Sequence, residues 1–131
     1  MIGRSRNQTA IKLVTLTLVF AAVSILFMRG AQQIPVVSVV PADFAETRGA
    51  ATWDARRKDS FLKDEKNQWP LTEAQKKARG NRSPLAWLPE LEQCRYISRF
   101  VEVAQRYDLD GNPAEMQQLL SQRQRCYTQF Q

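Results

Sequence analysis

The chain has 131 residues, a mass of 15.1 kDa and a net charge of +6, with two cysteines and no histidine. That length holds one small domain at most. Without histidine there is no imidazole base, no imidazole metal ligand and no Ser-His-Asp triad, and two cysteines are too few for a four-thiolate zinc site.

In chain order, the first element is an uncharged apolar run from Leu13 to Met28. Extended back past Lys12 to Thr9 it reaches about twenty residues, enough for a ~30 Å hydrocarbon core at ~1.5 Å per residue. Arg4, Arg6 and Lys12 precede or flank it, and no acidic residue occurs before Asp43. By the positive-inside rule the N-terminus stays in the cytoplasm. The expectation is a single-pass protein of the bacterial inner membrane, with residues 1–29 as cytoplasmic tip and transmembrane anchor. The C-terminal part then lies in the periplasm. The alternative is a cleaved signal peptide and a secreted product. Against it, Phe27-Met28-Arg29-Gly30-Ala31 lacks the small-residue pattern that cleavage requires. Under both readings the remainder of the chain is exported.

Residues 30–51 read as an extended linker or a short strand. Pro35 and Pro41 bracket the β-branched run Val36 to Val40, which favours extended backbone. Residues 52–131 read as a small, mainly α domain. Thr52 to Glu65 is a helix candidate capped by Thr52, with Trp53, Arg57 and Phe61 roughly on one face and Ala55 and Leu62 nearby. Trp69-Pro70 breaks the pattern. Thr72 caps a short polar helix, Glu73 to Arg79, which ends at Gly80. Asn81-Arg82-Ser83-Pro84 is a loop, and Leu85 to Pro89 is an apolar anchor.

From Pro89 to Tyr107, apolar residues recur at Leu91, Cys94, Ile97, Phe100, Val101 and Ala104, the stripe of a half-buried helix. Asp108 to Pro113 is a turn. Asp108, Asp110 and Gly111 resemble a calcium loop only superficially, because the glycine is misplaced and no glutamate closes the loop. Asn112 is an N-cap, Pro113 opens the next helix, and Glu115 completes a capping box. Met116, Leu119, Leu120, Arg123 and Tyr127 follow along that helix, making an αα-hairpin.

Cys94 and Cys126 are equidistant from the turn. Each lies ~20 Å along its helix from the bend, so in an antiparallel hairpin the thiols meet at one height. Both also fall on the apolar stripes. In an exported domain this predicts a disulfide. Neither a redox nor a metal role is indicated, since there is no C-x-x-C pair.

The order of motifs carries a resemblance. Trp53, Arg56-Arg57, Phe61, Asp64, Asn81-Arg82-Ser83, Trp87-Leu88-Pro89, Cys94-Arg95-Tyr96, Tyr107-Asp108-Leu109, Glu115 and Cys126 follow one another. This resembles the C-terminal half of secreted HNH endonucleases of the GmrSD C-terminal type, over about residues 36 to 126. The resemblance implies a ββα-metal nuclease scaffold, with an Asp-His pair ahead of a Val-Val-Pro stretch. Aligned on Val39-Val40-Pro41, that pair falls on Val37-Ser38. The histidine that would activate water and the aspartate that would help hold a metal are therefore both replaced. The Lys-Gly expected after Asn-Arg-Ser is also missing, with Pro84 in its place. Ser38, Asp64 and Asn81 are thus degenerate family positions. Asp43, Asp54, Asp59, Asp64, Asn67 and Asn81 are the oxygen ligands available to a Mg²⁺ ion, but no general base accompanies them.

The stretch from Arg48 to Arg82 is the basic part of the chain. Arg56, Arg57, Lys58, Lys76, Lys77, Arg79 and Arg82 are candidate contacts for phosphates or an anionic membrane surface. No basic–aromatic interleaving marks a single-strand binder, and Trp53, Trp69 and Trp87 read as core or loop anchors. The sequence reading is a catalytically dead, nuclease-like scaffold without a cofactor. It would act as an accessory factor that binds a membrane or periplasmic protein. The alternative is a periplasmic DNA-binding protein or residual metal-dependent nuclease acting on incoming DNA.

Overall fold

A computed structural model describes residues 17, 18 and 33–129. The chain divides into two compact units, residues 1–33 and 34–131. In the first, Thr17 and Leu18 are helical and exposed. The apolar run 13–28 otherwise lies outside the described residues, and among those described no helix is long and apolar enough to cross a membrane.

In the second unit the described residues form strand β1 (Val36–Ser38), helix α1 (Ala42–Glu46), helix α2 (Ala55–Lys63), strand β2 (Gln68–Pro70), and helices α3 (Glu73–Arg79), α4 (Gln93–Arg106) and α5 (Pro113–Thr128). Single 3-10 turns stand at Ala50–Thr52 and Glu65–Asn67. The fold is mainly helical. β1 and β2 pair antiparallel, with Val37 opposite Trp69.

Helix α4 is the centre of the core. Its stripe of Tyr96, Ile97, Phe100, Val101, Val103 and Ala104 is buried, as a strongly one-sided helix requires. Leu119 from α5, Leu71 after β2, Phe61 from α2, and Val39, Val40, Phe44 and Ala45 pack in the same cluster. Phe44 meets Phe100 edge-on with ring centroids 5.1 Å apart, and Trp69 and Trp87 both pack edge-on against Tyr96. The three tryptophans are anchors of the fold, as their sequence context indicates.

Several boundaries depart from the sequence reading. Residues 34–51 are part of the folded unit, because Val39, Val40, Phe44, Ala45 and Ala50 are core residues. The hydrophobic cluster around α4 draws these five residues from outside 52–131. Helix α2 starts at Ala55, where the Asp54 carboxylate accepts from Arg57 N–H at 2.8 Å, while Thr52 ends a 3-10 turn. Helix α4 starts at Gln93, because Glu92 adopts a left-handed conformation (φ 56°). Leu91 therefore falls off the stripe and is 78% exposed. Helix α3 matches its expected bounds, with a complete Thr72–Gln75 capping box and Gly80 past the end at φ 56°.

Helix α5 has its N-cap at Asn112 and proline at its first position. The capping box is half-made: Asn112 accepts from Glu115 N–H, but the Glu115 side chain turns to Arg48. Arg48 donates from Nε and Nη2 to the two carboxylate oxygens, each at 3.0 Å, and its guanidinium stacks over Phe44 at 3.8 Å. A two-pronged pair of this kind fixes orientation as well as distance. It clamps the 42–50 segment to the hairpin. Gly111 allows the approach, since a Cβ there would lie 3.0 Å from the Arg48 backbone.

Cys94 and Cys126 form a disulfide with Cα atoms 5.5 Å apart, joining α4 to α5 across 32 positions of sequence. Closing a loop of that size is worth about 3–4 kcal/mol in the chain-entropy model. The double substitution Cys94→Ala/Cys126→Ala is expected to lower unfolding free energy by roughly that amount, about 3–4 kcal/mol, read from urea titration. Intact-mass analysis of the wild-type chain should show it two hydrogens lighter than the reduced form.

Candidate functional site

Strand β1 runs into the buried segment Val39-Val40, and the polar groups there must find partners inside the protein. Val39 N–H donates to Asn67 O at 3.0 Å, and Val40 N–H to Asn67 Oδ1 at 2.9 Å. Asn67, itself fully buried, completes its set by donating Nδ2 to Phe61 O at 3.0 Å. Tyr96 Oη donates to Val39 O at 3.3 Å. Arg79 Nη1 donates to Ser38 O and, at 3.4 Å, to Val39 O. Three parts of the chain thus converge on three residues. Burial raises the Tyr96 hydroxyl above its ordinary value of 10.0, although the Arg79 charge opposes the shift.

Arg79 is the residue whose role the sequence reading misses. As one of seven candidate surface cations, it was expected to face solvent; it is 4% exposed. The signal lies in its position. The Thr72 capping box and Gly80 fix the length of α3, which puts Arg79 in its last turn and Lys76 on the same face. Both side chains line a cleft of about 370 Å³ with Val36, Val37, Ser38, Leu62 and Gln68.

Among the degenerate family positions, Ser38 alone lines this cleft. Asp64 lines a different one, with Glu65, Lys66, Arg99 and Arg106, and Asn81 lines neither and is exposed. A divalent cation does not fit the residues present. No carboxylate lines the Ser38 cleft, which instead presents the cationic side chains of Lys76 and Arg79. Among the described residues no cluster of three or more acidic, cysteine or histidine side chains forms. Of the other oxygen ligands weighed from sequence, Asp54 caps α2, Asp59 pairs with Lys63, Asn67 is enclosed as described, and Asp43 is exposed in the first turn of α1.

Asp64 is also structural. Its carboxylate accepts from Lys66 N–H at 2.8 Å and from the Tyr107 hydroxyl at 2.9 Å, and pairs with Arg106 at 3.4 Å. Tyr107 in turn packs with Phe61 and Trp53 in a three-ring cluster, centroids 5.1–5.7 Å apart. Burial alone would raise the Asp64 pKa. The Lys66 N–H, the Tyr107 hydroxyl and the Arg106 charge outweigh it and hold the carboxyl below its ordinary 3.8. Burial and the Asp64 carboxylate push Tyr107 upward.

The remaining basic residues do not form one free surface. Arg57 lies over the Trp53 ring and pairs with Asp108, Lys58 pairs with Glu46, and Arg82 turns back onto the α3 carbonyls of Ala78 and Arg79. Arg56, Lys76 and Lys77 are exposed and carry no ion pair among the described residues.

No protein-family profile matches the chain. No solved structure matches it. It is similar to an uncharacterized secreted protein of Arthroderma benhamiae, with 31% identity over 100 residues. The match covers 73% of this chain and 49% of that protein, so the chain spans about half the length of its relative.

Because the folded-state pKa of Asp64 is depressed, its carboxylate contributes stability above the unfolded value, and that contribution is lost as pH falls through the folded value. Asp64→Asn is expected to be less stable than wild type at neutral pH and to converge with it below about pH 4. Urea unfolding from about pH 7 down to about pH 2 reads this directly. Asn67→Ala strands Val40 N–H and Phe61 O without partners. It is expected to cost about 2–4 kcal/mol in the same assay.

Proposed function

We propose that the chain is an exported, membrane-anchored protein built on a nuclease-like scaffold without a catalytic centre. It acts by binding a protein partner at the inner membrane. One observation carries the loss of chemistry: the Ser38 carbonyl, at the position where the resemblance calls for histidine, is held by the buried Arg79 guanidinium. A cation and a serine there provide neither a general base nor a metal ligand set.

Export is supported by the Cys94–Cys126 disulfide, a bond that persists in oxidising compartments, and by the secreted relative. Anchoring rests on the apolar run 13–28 and the basic residues before it. Half-buried Trp53 and Trp87 with buried Trp69 leave no tryptophan as an open stacking platform, which favours a protein partner over single-stranded nucleic acid.

Full-length protein in detergent, incubated with supercoiled plasmid and Mg²⁺, Mn²⁺ or Zn²⁺, is expected to leave the plasmid intact. Metal-dependent cutting abolished by Asn81→Ala would overturn the reading in favour of a residual nuclease. Salt-sensitive DNA retention without cutting would favour a DNA-binding role. A reporter fused after Gln131 is expected to be active only outside the cytoplasm.

A further inference from the structure

Carbonyl oxygens bind a guanidinium but do not neutralise it. Arg79 is buried, and among the described residues no carboxylate pairs with it. Residues 1–32 contain no aspartate or glutamate. Its Nε is enclosed and has no acceptor among the described residues. A buried charge without a counter-charge is costly. An anion that reaches it relieves that cost.

The surroundings of Arg79 supply the rest of a site. Lys76, one turn earlier on the same face of α3, is a second cation without a carboxylate partner among the described residues. Both line the cleft of about 370 Å³ beside Ser38, to which Gln68 adds an amide and no described residue adds a negative charge. Glu73, the acidic residue of α3, lines a separate depression with Lys76 and Lys77 and forms no ion pair with either among the described residues. The remaining lining is largely apolar, and two of its members, Val36 and Leu62, are 59% and 47% exposed.

The geometry points to a metal-independent binding site for a phosphate group, held by Lys76 and Arg79 in the cleft between β1 and α3. A buried guanidinium and an exposed lysine on one cleft with no carboxylate favour a doubly charged oxyanion over a carboxylate. The exposed Val36 and Leu62 side chains give an organic substituent on that phosphate an apolar surface to cover. The site goes beyond the protein-binding role and stands or fails separately from it, since phosphate occupancy needs neither a partner nor catalysis.

The test is titration of the full-length chain in detergent with inorganic phosphate and, separately, phenyl phosphate. Ionic strength is held constant with chloride, and binding is followed by calorimetry and amide chemical shifts. Saturable binding is expected, with shifts centred on Val37, Ser38, Lys76 and Arg79. Lys76→Gln should weaken it about tenfold, the loss of one charge-assisted contact. Arg79→Lys, which keeps the charge but loses the planar fork, should weaken it further. Tighter binding of phenyl phosphate than inorganic phosphate identifies an organic phosphate as the ligand; equal affinity identifies phosphate itself. The exposed Lys76 position keeps the test decisive if Arg79→Lys fails to fold. No saturable binding of either probe up to about 10 mM, or unchanged affinity in Lys76→Gln, overturns the proposal.

Discussion

Three consecutive residues, half-buried Ser38 and buried Val39 and Val40, sit at the crossing point of the folded unit, and the backbone polar groups of Val39 and Val40 have only the protein to bond with. Asn67 serves the N–H groups of Val39 and Val40, Tyr96 serves the Val39 carbonyl, and Arg79 serves both the Ser38 and Val39 carbonyls. An unpaired buried backbone group costs about as much as a lost hydrogen bond. The turn before β2, helix α3 and helix α4 are each held to β1 by this requirement. The hydrophobic cluster around α4 supplies the bulk of the driving force, but it is non-directional. The polar junction gives the packing its register.

The same junction determines what the site can do. A divalent ion needs oxygen ligands with negative charge around it, and the cleft beside Ser38 offers cations. Asp64, the acidic residue that the nuclease resemblance retains, is drawn into a different task. It closes the turn at Lys66 and anchors the hydroxyl of Tyr107 beneath Trp53 and Phe61. The packing roles of Asp64 do not depend on any reaction. The cleft beside Ser38 presents Lys76 and Arg79 and no carboxylate.

Much of this fold was legible in local chemistry. The bounds of α3 follow from Thr72, Gln75 and Gly80, and the disulfide follows from two thiols equidistant from one turn on matching stripes. What local pattern did not carry was pairing across distance. The strand at Gln68–Pro70 holds a proline and two bulky side chains in three residues, and only its partner β1 makes it a strand. The 42–50 segment looked like linker because its apolar residues are few and irregular. Phe100 and the Arg48–Glu115 clamp make it part of the core. Arg79 reads as a solvated cation for the same reason, since nothing in its own helix announces that the carbonyls of Ser38 and Val39 lie above it.

On the proposed reading, the Arg79 guanidinium, held on the Ser38 and Val39 carbonyls, leaves no place for a metal ion beside Ser38. Paramagnetic broadening by Mn²⁺, read amide by amide on isotope-labelled full-length protein, tests it most directly. Signals of Val37, Ser38 and Asn81 are predicted to broaden no more than those of exposed residues elsewhere on the domain. Selective broadening of those three at low Mn²⁺, reversed by excess Mg²⁺, would contradict the account.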